Sequence, residues 1–223
     1  LCIIQAAARA AAGDHAAAAD LYRESLELKP QDPRIWCNFG AELNAIGQVE
    51  EAEPAYRRAL ELDPALAQAW YNLGQLQQER GRENEAETCY RSALALLDGV
   101  RDHELWQLAY NNWGLLLQSQ GRPQDAVKLY REALAAVPAD ASLRSNLLFL
   151  LTAMADVDPG ELLQEHRAWG KLHVRAHAAY ANLPDPERRI RVGYVSADFY
   201  SHPLAFFVLP LLANRDRART EAV

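Results

Sequence analysis

Among 223 residues, the side chain best placed to do chemistry is His202, in the stretch VGYVSADFYSHPLAFFVLPLL (residues 192–212). An imidazole titrates near pH 6.5, so it can hold a proton transiently at neutrality. The residues before it, IRVGYVS, read as a strand, Ala197 to Pro203 as a loop, and the apolar run from Leu204 as a buried helix. In α/β sheets ligands bind outside the carboxyl ends of strands, where this loop falls, and Pro203 opens a helix whose N-terminus suits negative charge. Asp198 and Phe199 shape the loop. The other reading of His202 is a residue that merely caps the following helix. No GxGxxG accompanies the strand, which weakens a dinucleotide-cofactor reading.

Asn38, Asn72, Asn112 and Asn146 make a second pattern. An amide offers two donors and an acceptor, enough to grip an extended peptide backbone without reading its side chains. The competing reading is a polar residue tolerated on an exposed face. A third group is His166, His173 and His177. The last two stand one helical turn apart, but His166 lies about 10 Å further along the axis at ~1.5 Å per residue, and no cysteine or carboxylate completes a set. These histidines therefore read as packing or interdomain groups, and no metal is expected.

The elements that must carry the asparagines repeat. Gly13, Gly47, Gly81 and Gly121 recur with a period of about 34 residues, the last interval being stretched by the segment 101–106. The same offsets recur at Ala18, Ala52, Ala86 and Ala126, at Tyr22, Tyr56, Tyr90 and Tyr130, and at Pro30, Pro64 and Pro138, with Asp98 in place of the missing proline. WCNFG, WYNLG and YNNWG mark a first helix ahead of each later glycine. Gly40, Gly74 and Gly114 let antiparallel helices approach, and an aromatic fills the space beside them. Asp32-Pro33 and Asp63-Pro64 should each open a helix as N-cap and first residue. Pro54 should kink a second helix, and the inserted segment 101–106 should lengthen a helix or loop. After Asn146 the pattern decays, with Leu148 at the small position, and DVDPGELLQEHRAWGKLH reads as an amphipathic helix packing on the segment C-terminal to it. This pattern resembles the tetratricopeptide-repeat family, in which the first helix of each repeat lines a concave surface.

The net charge of −7 argues against nucleic acid as a partner, although residues 186–223 carry six Arg against four acids. Cys2, Cys37 and Cys89 are odd in number and lack CxxC spacing, which suits a reducing compartment, the cytoplasm by default. The longest apolar run, Leu204 to Leu212, is half the roughly 20 residues a membrane span needs. No membrane partner is expected, and the Ala-rich opening reads as the interior of a longer chain rather than a leader.

Joined to the repeats, RIRVGYVSADFYSHPLAFFVLPLL resembles the start of the catalytic region in the O-linked N-acetylglucosamine transferase family, where GYVS-x-DF-x-x-HP follows a tetratricopeptide array; the likeness is to a bacterial homologue. The resemblance implies a mostly α chain, a repeat superhelix followed by the first β-α unit of an α/β GT-B catalytic domain. The expected segments are four repeats (1–32, 33–66, 67–106, 107–140), a partial fifth repeat with linker helices (141–185), and the opening of the GT-B domain (186–223). It implies inverting transfer of N-acetylglucosamine from UDP-GlcNAc to Ser or Thr hydroxyls, with no cofactor or metal, and an acceptor peptide held in the repeat groove. His202 then corresponds to the family's active-site histidine, a base or a direct substrate contact. Phe206 stands where some animal members carry a second histidine. The UDP-binding lobe is expected beyond Val223, so residues 190–212 should need the rest of their sheet, and residues 1–223 alone should bind peptide without transferring sugar. The alternatives are a noncatalytic tetratricopeptide adaptor and a related protein O-fucosyltransferase.

Overall fold

A computed structural model describes residues 2–97, 104–173, 190–192 and 220–222. Among the described residues ten helices follow one another: α1 (Cys2–Ala11), α2 (His15–Leu28), α3 (Pro33–Ala45), α4 (Val49–Leu62), α5 (Ala67–Glu79), α6 (Glu83–Leu96), α7 (Glu104–Ser119), α8 (Pro123–Ala136), α9 (Ala141–Ala153) and α10 (Pro159–His173). Two strands, β1 (Ile190–Val192) and β2 (Thr220–Ala222), complete the described elements. The chain divides into two compact units, 1–174 and 175–223.

In the first unit α1 to α8 form four antiparallel pairs, and each second helix also packs on the next pair's first helix. The first helices touch one another as well, α3 with α5, α5 with α7 and α7 with α9. Helices on the tighter side of a curved stack are the ones that meet, so the first helices line its inner face. Every first helix of a pair ends on a glycine of positive φ. At Gly81 φ is 70°, and the Arg82 N–H reaches back 2.8 Å to the Gln77 carbonyl. A side chain would be strained in that left-handed conformation, and the six-to-one bond satisfies a carbonyl the helix leaves orphaned. Gly13, Gly47 and Gly121 make the same turn, which is why the repeat is punctuated there.

The core is built where small meets large. An added Cβ at Gly40 would lie 2.8 Å from Tyr56, and one at Gly74 would lie 2.9 Å from Tyr90 and 3.2 Å from Cys89 Cβ. Tyr56 and Tyr90 are fully buried there, as the repeat pattern required. The core continues through two abutting clusters, one from Ala6 to Cys89 and one from Tyr71 to Leu151, with Trp70 packed on both.

The local expectations fare differently from place to place. Asp32 caps α3 as foreseen, accepting from the N–H groups of Arg34 (3.0 Å) and Ile35 (3.4 Å). Asp63 does not open a helix; its own N–H bonds to Ala59 at the end of α4, its carboxylate accepts from Ala65, and α5 starts only at Ala67. The α4 helix runs on through Pro54 to Leu62, with Pro54 on its solvent side. The inserted segment lengthens the first helix of repeat four, because α7 takes in Glu104–Trp106 and has 16 residues where α3 and α5 have 13. Finally, α10 packs on the helix before it. Arg144 bonds Glu165 at 2.7 Å, Arg131 pairs with Glu161, and Trp169 donates to the Ser145 hydroxyl at 3.1 Å.

The second unit is described through its strands. β1 pairs with β2 in parallel, Ile190 opposite Thr220 and Val192 opposite Ala222. The strand foreseen from residue 190 is present over three residues, and β2 gives it a parallel partner within the chain. Parallel neighbours need a crossover of a dozen or more residues, and the segment 193–219 is long enough to supply it.

Candidate peptide-binding groove

The four asparagines sit on α3, α5, α7 and α9, on the inner face of the first unit. Asn38 is exposed, and the other three are half-buried. Burial has a cause: each of those three reaches back to the residue standing just before the previous asparagine. Asn72 Nδ2 donates to Cys37 Sγ (3.7 Å), Asn112 Nδ2 to Tyr71 Oη (3.0 Å), and Asn146 Nδ2 to Asn111 Oδ1 (2.9 Å). Gln68 donates to Asn72 Oδ1 at 2.8 Å from the same helix. The column continues to the last helix, where Ser145 accepts from Trp169. The ladder is therefore also a set of clasps between successive repeats. A half-buried amide with its donor satisfied keeps a fixed orientation, the preorganisation a backbone-gripping site needs.

Cys37 and Tyr71, which stand just before Asn38 and Asn72, are buried acceptors. Burial pushes the Cys37 thiol up to about 12, against a small opposing effect of the Asn72 bond, so it stays protonated and unreactive. Tyr71 is raised by burial, partly offset by its bond from Asn112. Tyr130 rises to about 12, again from burial and again opposed by an asparagine, Asn146. The hydrogen-bond partners of Asn72, Asn112 and Asn146 are neutral, and the ladder's chemistry is hydrogen bonding.

Residues one turn away share the asparagines' face. Three positions on stand Ala41, Gln75, Leu115 and Phe149; four positions before stand Arg34, Gln68, Leu108 and Ser142. Sequence reasoning missed that the column starts earlier: Ile4, one period before Asn38, occupies the ladder position on α1 and is 74% exposed. The arithmetic of the period was the available signal. Asp198, Phe199, His202 and Pro203 lie outside the described residues, as does His177; His166 is an exposed residue of α10. Among the described residues no cluster of His, Cys, Asp or Glu could hold a metal, and no helix is long and apolar enough to cross a membrane.

Comparison with known proteins agrees with this geometry. Residues 65–139 match the tetratricopeptide-repeat family model, and residues 40–81 match a second TPR-repeat model. The Arabidopsis thaliana protein named probable UDP-N-acetylglucosamine–peptide N-acetylglucosaminyltransferase SPINDLY is 37% identical over 79 residues, 33% of this chain and 9% of that protein. Its Petunia hybrida counterpart is 30% identical over 39% of this chain and 10% of its own length. The chain therefore spans only a small part of the length of these curated relatives. Among solved structures, a Thermobaculum terrenum O-GlcNAc transferase mutant is 27% identical with a TM-score of 0.51, covering 85% of this chain and 36% of that one. MamA matches in fold at a TM-score of 0.62 and 19% identity, over 74% of this chain and 92% of its own. The chain thus carries tetratricopeptide repeats and, over its N-terminal part, is homologous to the SPINDLY and O-GlcNAc transferase proteins.

Proposed function

We propose that this chain is the acceptor-presenting part, and the first element of the catalytic part, of an inverting glycosyltransferase that moves N-acetylglucosamine from UDP-GlcNAc to Ser or Thr hydroxyls of proteins. The observation that carries the reading is the likeness to an O-GlcNAc transferase over 85% of this chain, more than its repeats occupy. The GYVSADFYSHP stretch behind the repeats supports it independently. In this reading an extended acceptor lies along Asn38, Asn72, Asn112 and Asn146, with its backbone held by amides already oriented by the repeat before. The acceptor oxygen attacks the sugar's anomeric carbon, its proton passes to His202, and UDP leaves from the opposite face, which inverts the centre. Asp198, Phe199 and Pro203 hold the loop that presents the imidazole. The transfer needs no cofactor or metal, and the cytoplasm is its setting.

The test is a transfer assay on the protein that contains these residues, with UDP-GlcNAc offered against other nucleotide sugars and products read by mass spectrometry. His202→Ala lowers kcat by roughly 10²–10⁴-fold at saturating donor, the usual worth of a general base. An unchanged kcat removes His202 from the chemistry, and an absence of transfer from every donor favours a peptide-binding adaptor.

A further inference from the structure

The inner face is not uniform along the stack. One turn after the ladder asparagine the residue grows from Ala41 on α3 to Gln75 on α5, Leu115 on α7 and Phe149 on α9. Leu115 is 51% exposed and Phe149 69%, and Leu108, one turn before Asn112 on the same helix, is exposed too. None of the six inner-face positions on α7 and α9 (Leu108, Asn112, Leu115, Ser142, Asn146 and Phe149) carries a charge. The second helices, by contrast, carry ion pairs, Glu53 with Arg82 and Glu87 with Arg122. The two large apolar side chains occupy one repeat position on adjacent first helices, each three residues beyond an amide that is tied back to Tyr71 or Asn111.

We propose that the α7–α9 end of the groove is a specificity pocket that takes one uncharged, leucine- or phenylalanine-sized side chain of the bound polypeptide, while the α3–α5 end makes no such apolar demand. The occupant is a polypeptide because the apolar step is interleaved with amides, which suit a backbone and offer nothing to an acyl chain. Its anchoring side chain is uncharged because Leu108, Leu115 and Phe149, the side chains it would rest on, offer an ionised group neither a hydrogen bond nor a counter-ion. The inference rests on the reading of the inner face as a peptide site, and it adds register: the apolar residue fixes which part of the acceptor lies where.

The experiment titrates the full chain into fluorescein-labelled peptide pools with a central serine, one position at a time fixed as Leu, Phe, Lys or Glu, and reads anisotropy. The expected result is a single position at which Leu or Phe tightens binding about tenfold over Lys or Glu, the scale of a partly buried side chain. Leu115→Ser with Phe149→Ser abolishes that preference while the pools with polar fixed residues bind as before, and each single change reduces it. Both side chains are exposed, so the far-UV circular dichroism of these variants stays that of the parent. Binding without any apolar preference, or a preference that survives the double change, overturns the pocket and leaves the peptide groove standing. Dimerisation of the parent in sedimentation velocity, lost in the double variant, also overturns it by assigning the patch to a second copy. If no pool binds at all, the peptide groove itself falls.

Discussion

Gly74 has no side chain because the Tyr90 ring and Cys89 occupy the place a Cβ would take, at 2.9 Å and 3.2 Å. Neither neighbour can retreat, since both are buried between helices. Gly74→Ala is therefore destabilising by about 1–3 kcal/mol in urea unfolding, the range for overpacking a filled site. Glu53 is a different kind of constraint. Its carboxylate, only 14% exposed, accepts from Arg82 (2.7 Å), Arg80 (3.1 Å), Arg57 (2.8 Å) and Gln77 (3.1 Å). Burial alone would raise its pKa, but the bonds from Arg82, Arg57 and Gln77, with the charge of Arg82, outweigh that and hold it at about 2 rather than 4.5. A carboxyl depressed in the folded state adds stability that is present above the unfolded value and lost as pH falls through the folded one. Thermal melts should show the parent more stable than Glu53→Gln at pH 7, with the gap closing between pH 4.5 and 2. Glu87, one repeat on, recreates the arrangement with Arg91 and Arg122 at 2.9 and 2.7 Å.

At the scale of elements, α4 tolerates a proline that no other helix carries past its first turn among the described residues. Pro54 lacks the N–H that would answer the Glu50 carbonyl, and its ring faces solvent, so nothing in the core depends on it. Pro54→Ala raises the urea midpoint, with a gain in unfolding free energy of about 1–3 kcal/mol from regained bonding and helix propensity. The helices themselves were readable because glycine turns, alanine contacts and tyrosines recur at fixed offsets, each set by a short-range steric need. The start of α5 was not, since Asp63-Pro64 has the composition of a cap but its aspartate is already engaged as the end of α4. The partners of the ladder asparagines were hidden for another reason. A column in the sequence shows that a position matters, yet whether its amide faces a ligand or the preceding repeat depends on how closely two first helices approach, which no single helix encodes. The same holds for β2, whose RTEAV context has no strand signature and acquires its role from pairing with β1.

At the scale of the whole molecule, each repeat of the first unit contacts only its neighbours, which makes its stability a sum of local terms. Residues 1–174 produced alone should fold as a helical unit with a cooperative thermal transition; the lack of one would mean the boundary between the two units is drawn in the wrong place. On the proposed reading, that unit also ties cargo to scaffold in one set of groups. The bonds from Asn72, Asn112 and Asn146 that run between repeats belong to the same amides that would hold a guest chain. Stretching the coil along its axis would pull those rungs out of line, so tension on the protein would loosen its hold, and a seated guest would in turn stiffen the spring.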